Sequence, residues 1–293
     1  MPETVLHCAL CGSSRSLPFD RREFHGRLVE NRICRDCGLV YQSPRMTEAE
    51  SAAFYADGYR QFQEGSAAPT ARNMAAQRSR SDSLAGFARP VVPGVSRHLD
   101  IGCSMGILLQ RFQAEYHDRA VGIEPGEMHR AQAAQNGLTV YPTLEELEKA
   151  GEARFDLVSM SHVLEHLPDP VGYLSHLRDF LLTPDGWLLI EVPNLYAHDS
   201  FEVAHLYAFS PHTLTETLHR GGFEVVKFEK HGRPNSALFP LYLTVLCRPL
   251  AQFETAPVRP EKGVAFKRRI GMLRRRVEQR LRPGKAWLVQ LSE

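Results

Sequence analysis

The chain has 293 residues, 43% of them hydrophobic and 24% charged, with 19 Pro and 21 Gly spread along its length. This is the composition of a soluble globular protein, and it excludes disorder, a collagen-like fibre and a coiled rod. No stretch approaches the roughly 18 apolar residues of a spanning helix, and the start MPETVLHCALCG has no basic region followed by an apolar one, so the expected location is cytoplasmic. In that compartment the six cysteines read as ligands or small buried residues before they read as disulfide partners. The net charge of +1 hides an asymmetry: residues 248–293 carry twelve Lys/Arg against four Asp/Glu, and the residues before them 23 against 30. An anionic partner meets the tail first.

Four cysteines fall in two copies of one pattern, Cys8-Ala-Leu-Cys11-Gly12 and Cys34-Arg-Asp-Cys37-Gly38. The Gly after each second cysteine lets the chain turn back with φ > 0 while backbone N–H groups approach the sulfurs. Two such knuckles supply four soft ligands to one tetrahedral ion, and Zn2+ is the default in a reducing compartment. Residues 1–45 therefore read as a zinc-binding module. A helical connection is expected over 46–94. Within it Thr47-Glu48-Ala49-Glu50 is a capping box opening a short helix, residues 57–70 are punctuated by Gly, Ser and Pro, and a second helix runs over 71–88.

From Arg97 onward short apolar runs alternate with helical segments, the pattern of a parallel sheet wound with helices. Strands are predicted at His98–Ile101, Ala120–Ile123, Leu138–Tyr141, Phe155–Met160, Trp187–Val192, Glu224–Glu229 and Leu241–Cys247. The main helices are expected at Gly106–Glu115, Gly126–Gln135, Pro170–Leu181 and Pro211–Arg220. The first strand runs into Asp100-Ile101-Gly102-Cys103-Ser104-Met105-Gly106, a glycine turn that leaves room for a ligand against the backbone. Alone it would suit NAD, S-adenosylmethionine or a phosphate. The second strand ends in Glu124, whose carboxylate is suited to accept from both hydroxyls of a ribose.

With LDIGCSMG, VGIEP and FDLVSMSHVLEHLPDP followed by LLTPDGWLLIEVPN in this order, the sequence resembles the class I S-adenosylmethionine-dependent methyltransferases over about residues 97–247. The Cys knuckles in front and HLYAFSPHTL behind are similar to the zinc-containing sugar C-methyltransferases, and HVLEH resembles the ubiquinone-type O-methyltransferases. The resemblance implies an α/β, Rossmann-like seven-stranded sheet at residues 95–248, flanked by the zinc ribbon and a C-terminal helix. It implies that Asp100, Gly102, Cys103, Gly106, Glu124 and Ser161 surround S-adenosylmethionine, Cys103 more as a packing residue than as a nucleophile. It makes His162 and His205 candidates for the methyl-transfer site, with His205 the better base, and Tyr55, Tyr59 and Tyr207 candidates for the acceptor. Sugar C-methyltransferases carry Glu before that His; here it is Ala204. Some ubiquinone-type enzymes hold a divalent ion with an acid-x-x-Glu-His cluster; here it reads His162-Val-Leu-Glu165-His166, with His in place of the first acid, and the alternative is that Glu165 and His166 cap the following helix and pair internally.

Residues 249–293 form a tail in which Phe266, Ile270, Leu273, Val277 and Leu281 recur at helical spacing among Lys267, Arg268, Arg269, Arg274, Arg275, Arg276 and Arg280. This is a basic amphipathic helix, open to an anionic membrane at its inner face, a lipid-linked or phosphorylated glycan, or the acidic body of its own or a partner subunit. The expected function is methyl transfer to a sugar, surface glycan or related small natural product, as part of carbohydrate biosynthesis. The alternatives are rRNA or tRNA methylation and a non-catalytic binding module. No nucleic-acid partner is expected, because the arginines of the Cys module alternate with acids and no aromatic stacking series accompanies them.

Overall fold

The computed structural model describes residues 2–54, 70–253 and 256–288. Its centre is a seven-stranded sheet in the order β10-β11-β8-β7-β4-β5-β6. These strands are β4 (Arg97–Ile101), β5 (Arg119–Ile123), β6 (Thr139–Tyr141), β7 (Phe155–Ser161), β8 (Leu182–Pro193), β10 (Phe223–His231) and β11 (Tyr242–Pro249), all seven of the predicted ones. Strands β4 to β8 pair in parallel. Phe155, Leu157, Val158 and Met160 of β7 are fully buried, as are Leu188 and Ile190 of β8, because helices cover both faces of a parallel sheet. The last strand departs from the parallel pattern: β11 runs antiparallel to both β8 and β10. Residues 232–241 contain no helix that could cross over, so β10 returns directly alongside.

Between the strands lie α2 (Ala71–Ala88), α3 (Ile107–Tyr116), α4 (Glu127–Gln135), α5 (Leu144–Lys149), α6 (Pro170–His176) and α7 (Pro211–Arg220), preceded by α1 (Glu48–Ala53). Thr47 caps α1 with the capping box read from the sequence. The Pro170–Leu181 helix ends its α-helical part at His176 and closes with a π turn over Leu177–Leu181.

The Cys module is a second sheet, ordered β1-β2-β3-β9. Strands β1 (Ser16–Phe24) and β2 (Arg27–Cys34) form a hairpin whose two-residue turn, His25-Gly26, has positive φ at both positions, as the strand twist prefers. Strand β3 (Val40–Gln42) follows the second knuckle, and the fourth strand, β9 (Tyr207–Ala208), comes from the segment after β8. Val40 pairs with Ala208 and Tyr41 with Tyr207. The chain ends its described part in α8 (Val264–Leu281) and α9 (Pro283–Ala286). Among the described residues no helix is long and apolar enough to cross a membrane.

Gly106 opens α3 with φ of +78°, and a Cβ there would lie 2.1 Å from Leu138 Cδ1. Gly106→Ala combines left-handed strain with a clash against the core, so a destabilisation of about 2–4 kcal/mol in urea unfolding is expected. A change below about 0.5 kcal/mol would show that the turn relaxes freely.

Candidate functional site

At the carboxyl end of β4 the chain turns through Gly102 and Ser104, at φ of +73° and +51°. Glu124 follows β5 and is only 5% exposed. Its Oε2 accepts from the Ser104 N–H and its Oε1 from the Gly126 N–H, each at 2.8 Å. One carboxylate thus ties the loop after β4 to the loop after β5. Gln77 of α2 donates to Ser104 Oγ at 3.0 Å from above.

Asp100 faces the interior of the sheet, where its Oδ1 accepts from Ser159 Oγ at 2.5 Å; Ser159 Oγ lies 2.8 Å from His98 Nε2. Burial lifts Asp100 to about 7, with Ser159 opposing and the charge of Glu124 adding. Burial alone pulls His98 down to about 3. Cys103 packs with Leu109, Ala120, Ala133 and Leu138. Ser161 ends β7, and its buried Oγ has no hydrogen-bond partner among the described residues. The glycine turn, the unsatisfied Ser161 hydroxyl and the buried carboxylate at neighbouring strand ends fit a ligand that is both apolar and polyhydroxylated.

The neighbouring strand ends carry two buried acids and a ring of histidines. His162 sits at φ of +56°, costly for a side chain with a Cβ. Its Nδ1 is 3.3 Å from Glu165 Oε1 and its Nε2 3.4 Å from Glu191 Oε1. Glu191 also faces Arg80 Nη1 at 3.3 Å and His231 Nε2 at 3.1 Å, and accepts from Thr244 Oγ1 at 2.9 Å. Burial works against its charge, but Arg80, His162 and His231 outweigh it and hold this carboxyl far below the ordinary range. Glu165, 1% exposed, is held low against burial by His162, His166 and His205. Neither of its oxygens has an aligned hydrogen bond among the described residues, so charge holds it. The expected capping role falls elsewhere: Asp169 caps α6, its Oδ1 accepting from the Gly172 N–H at 3.0 Å.

The segment after β8 lies over this edge. Leu206 N–H donates to Glu165 O at 2.9 Å, and His166 Nδ1 to Ala204 O at 2.9 Å. His205 donates from Nδ1 to Ser200 O at 2.7 Å, and its Nε2 is 2.8 Å from Glu202 Oε1. Burial would lower the His205 pKa, yet Glu202 and Glu165 outweigh it and the net shift is upward. A Glu–His pair is thus present although Ala204 precedes the His: the acid stands three residues back, one turn away. The His166 and His205 rings lie 4.7 Å apart, and donor atoms of Glu165, His166 and His205 lie within 4.8 Å of one another. One carboxylate and two imidazoles suit a divalent transition metal.

Across the module the four cysteine sulfurs gather within 4.8 Å, with Cys8 to Cys37 and Cys11 to Cys34 each at 3.5 Å. A tetrahedral zinc–thiolate site has edges of about 3.8 Å, so the cluster fits that ion. Gly12 and Gly38 take the positive φ expected of the knuckles, at +74° and +86°.

Of the three tyrosines, Tyr55 and Tyr59 lie outside the described residues. Tyr207 belongs to β9 and is 3% exposed, its hydroxyl donating to Pro168 O at 2.8 Å. It stands in the seam between the two sheets, away from open solvent. Gln77, Arg80, Glu191 and Glu202 were not singled out by sequence reasoning. The three-residue spacing of Gln77 and Arg80, and of Glu202 and His205, was the available signal.

A model of the methyltransferase domain family matches residues 61–227. The ubiquinone biosynthesis O-methyltransferase of Haemophilus ducreyi is 32% identical over 143 residues, 45% of this chain and 58% of that protein. Its namesake from Cereibacter sphaeroides is 38% identical over 105 residues, 33% of this chain and 41% of that one. The chain therefore spans about half the length of these curated relatives. Among solved structures, the 1,6-didemethyltoxoflavin-N1-methyltransferase of Burkholderia thailandensis, with bound 1,6-didemethyltoxoflavin and S-adenosylhomocysteine, is 22% identical. It aligns with a TM-score of 0.52 over 79% of this chain and 99% of its own, a likeness of fold. With the family model covering more than half of the sequence and the glycine turn and Glu124 standing at the ends of β4 and β5, this chain belongs to the methyltransferase domain family.

Proposed function

We propose that the chain transfers a methyl group to a hydroxyl oxygen of a small-molecule acceptor, a sugar or related natural product, with the Glu202–His205 pair taking the acceptor's proton and a structural zinc ion held by Cys8, Cys11, Cys34 and Cys37. The observation that carries this reading is the largely sheltered Glu202–His205 contact of 2.8 Å in the loop over the end of β7. The O-methyltransferase name of the relatives supports oxygen as the atom methylated. Surface glycans remain within the same acceptor class.

S-adenosylmethionine supplies, when bound, an electrophilic methyl group on a cationic sulfur. In this reading Glu124, held at the end of β5 by the Ser104 and Gly126 N–H groups, accepts from its ribose hydroxyls. Asp100, Gly102, Cys103 and Gly106 shape the turn, and Ser161 offers its unsatisfied hydroxyl. His162, clamped between Glu165 and Glu191, positions the acceptor. His205 donates from Nδ1 to Ser200 and turns Nε2 to Glu202, so the acceptor's proton enters the pair through the Glu202 carboxylate and is shared with Nε2, and Glu202 stabilises the imidazolium that results. The sulfonium needs no metal activation, which assigns zinc to folding.

Three outcomes test this. Glu124→Ala should weaken S-adenosylmethionine by about 1.5–3 kcal/mol in calorimetry through loss of charge-assisted hydrogen bonds; an unchanged affinity would remove Glu124 from the site. His205→Ala should lower turnover about 10²-fold with that affinity unchanged. Because Glu202 raises the His205 pKa, activity should climb as pH rises through it, and Glu202→Gln should move that limb to lower pH. An identical profile in both proteins, measured on hydroxylated aromatic and sugar acceptors, would mean that another group takes the proton. Finally, metal analysis should find one zinc per chain, lost in Cys34→Ser. Since β9 joins the Cys module to the His205 loop, that variant should also raise KM for the acceptor while S-adenosylmethionine still binds.

A further inference from the structure

The basic tail docks on the body of the protein and still leaves an apolar stripe uncovered. Val264 and Arg268 are the buried residues of α8. Arg268 donates to His198 O at 3.1 Å and pairs with Asp199 at 3.1 Å, and it reaches Leu195 O as well. Arg275 donates to Ala197 O at 2.9 Å. Between them Gly271 lies against Tyr196, where a Cβ would stand 1.9 Å from the carbonyl oxygen. Ahead of the helix, Glu261 N–H donates to Cys37 O at 3.0 Å, and Glu261 accepts from Tyr196 OH at 2.6 Å. Two cations of the sequence pattern, Arg268 and Arg275, therefore face inward, and the helix is fixed along its length by the loop after β8.

The opposite side is different. Phe266, Ile270, Leu273, Val277 and Leu281 are 68%, 51%, 61%, 46% and 72% exposed. At 3.6 residues per turn they fall within an arc of about 80°, diametrically opposite the anchored face. Exposed Arg269, Arg276 and Arg280 line one border of this stripe and Lys267 and Arg274 the other. Lys267 is partly neutralised by Glu261 at 2.8 Å.

We propose that this face of α8 is a docking surface for an anionic lipid bilayer, on which the helix lies parallel to the membrane plane. Five side chains would enter the headgroup and acyl boundary while the bordering arginines reach lipid phosphates. A soluble glycan or phosphate would satisfy the arginines but leave the apolar stripe in water. A second copy would bring the same cations against themselves, an arrangement that costs energy at every border position. Of these three occupants, an anionic membrane is the one that meets both halves of the pattern.

The test is co-sedimentation of the full chain with phosphatidylcholine vesicles, with and without about one third phosphatidylglycerol, at about 0.05 and 0.5 M salt. Binding is expected only to the anionic vesicles and is expected to weaken at high salt. Ile270→Glu/Leu273→Glu should abolish it. Arg269→Glu/Arg276→Glu should reduce it by at least tenfold, about fivefold being expected for each cation lost. Both variants alter exposed positions, and unchanged melting and S-adenosylmethionine affinity would show that they are folded. Absence of binding at low salt would overturn the proposal, as would equal binding by the glutamate variants. It would also fall if the protein is a dimer that Ile270→Glu/Leu273→Glu converts to a monomer, since a second copy would then be the occupant.

Discussion

Two residues of backbone pairing, Val40 with Ala208 and Tyr41 with Tyr207, join the Cys module to the seven-stranded sheet. A two-residue strand is too short to hold by itself, and it is braced on both sides. Gln42 N–H donates to Leu206 O at 2.8 Å, Leu206 N–H to Glu165 O at 2.9 Å, and Leu195 N–H to Phe209 O at 2.9 Å. The loop that bears Glu202 and His205 is thus clamped between β3 and the turn after β7. Anything that orders the four cysteines also orders that loop. The module and the candidate site are thus connected through β9.

The carboxyl ends of β7 and β8 concentrate charge where an open α/β sheet places its substrates. Glu165 and Glu191, both 1% exposed, would be strongly disfavoured as anions in isolation. They persist because His162, Arg80, His231, His166 and His205 surround them. The strained backbone of His162 is part of the same arrangement: at that left-handed turn one imidazole reaches Glu165 in the turn after β7 and Glu191 on β8. Removing one member would leave the others as unbalanced buried charge, so the cluster behaves as a unit.

The terminal helix extends this economy to the surface. Its inward arginines satisfy carbonyl oxygens of the loop after β8, which follows the strand bearing Glu191 and leads to His205. Its outward face stays apolar and cationic. One helix therefore both braces the loop that leads into the site and presents a surface to the surroundings.

Local chemistry made much of this legible from the residues alone. Alternation of apolar runs with helical segments placed all seven sheet strands, and the paired Cys-x-x-Cys-Gly knuckles identified the four sulfurs that meet. The glycine turn and Glu124 could be read because a βα turn and its acid follow one another along the chain. What tertiary structure alone decided involves partners far apart in sequence. β9 pairs with β3, which lies some 165 residues earlier in the chain, Arg80 finds Glu191, and Arg268 and Arg275 turn inward although helical periodicity counts them with the other cations. Tyr207 was expected at the acceptor and stands in the seam for the same reason. Periodicity and motif spacing report a residue's own element. The partner of a buried charge or of an edge strand is set by which elements are pressed together, and burying them leaves each polar group only the partners that packing brings within reach.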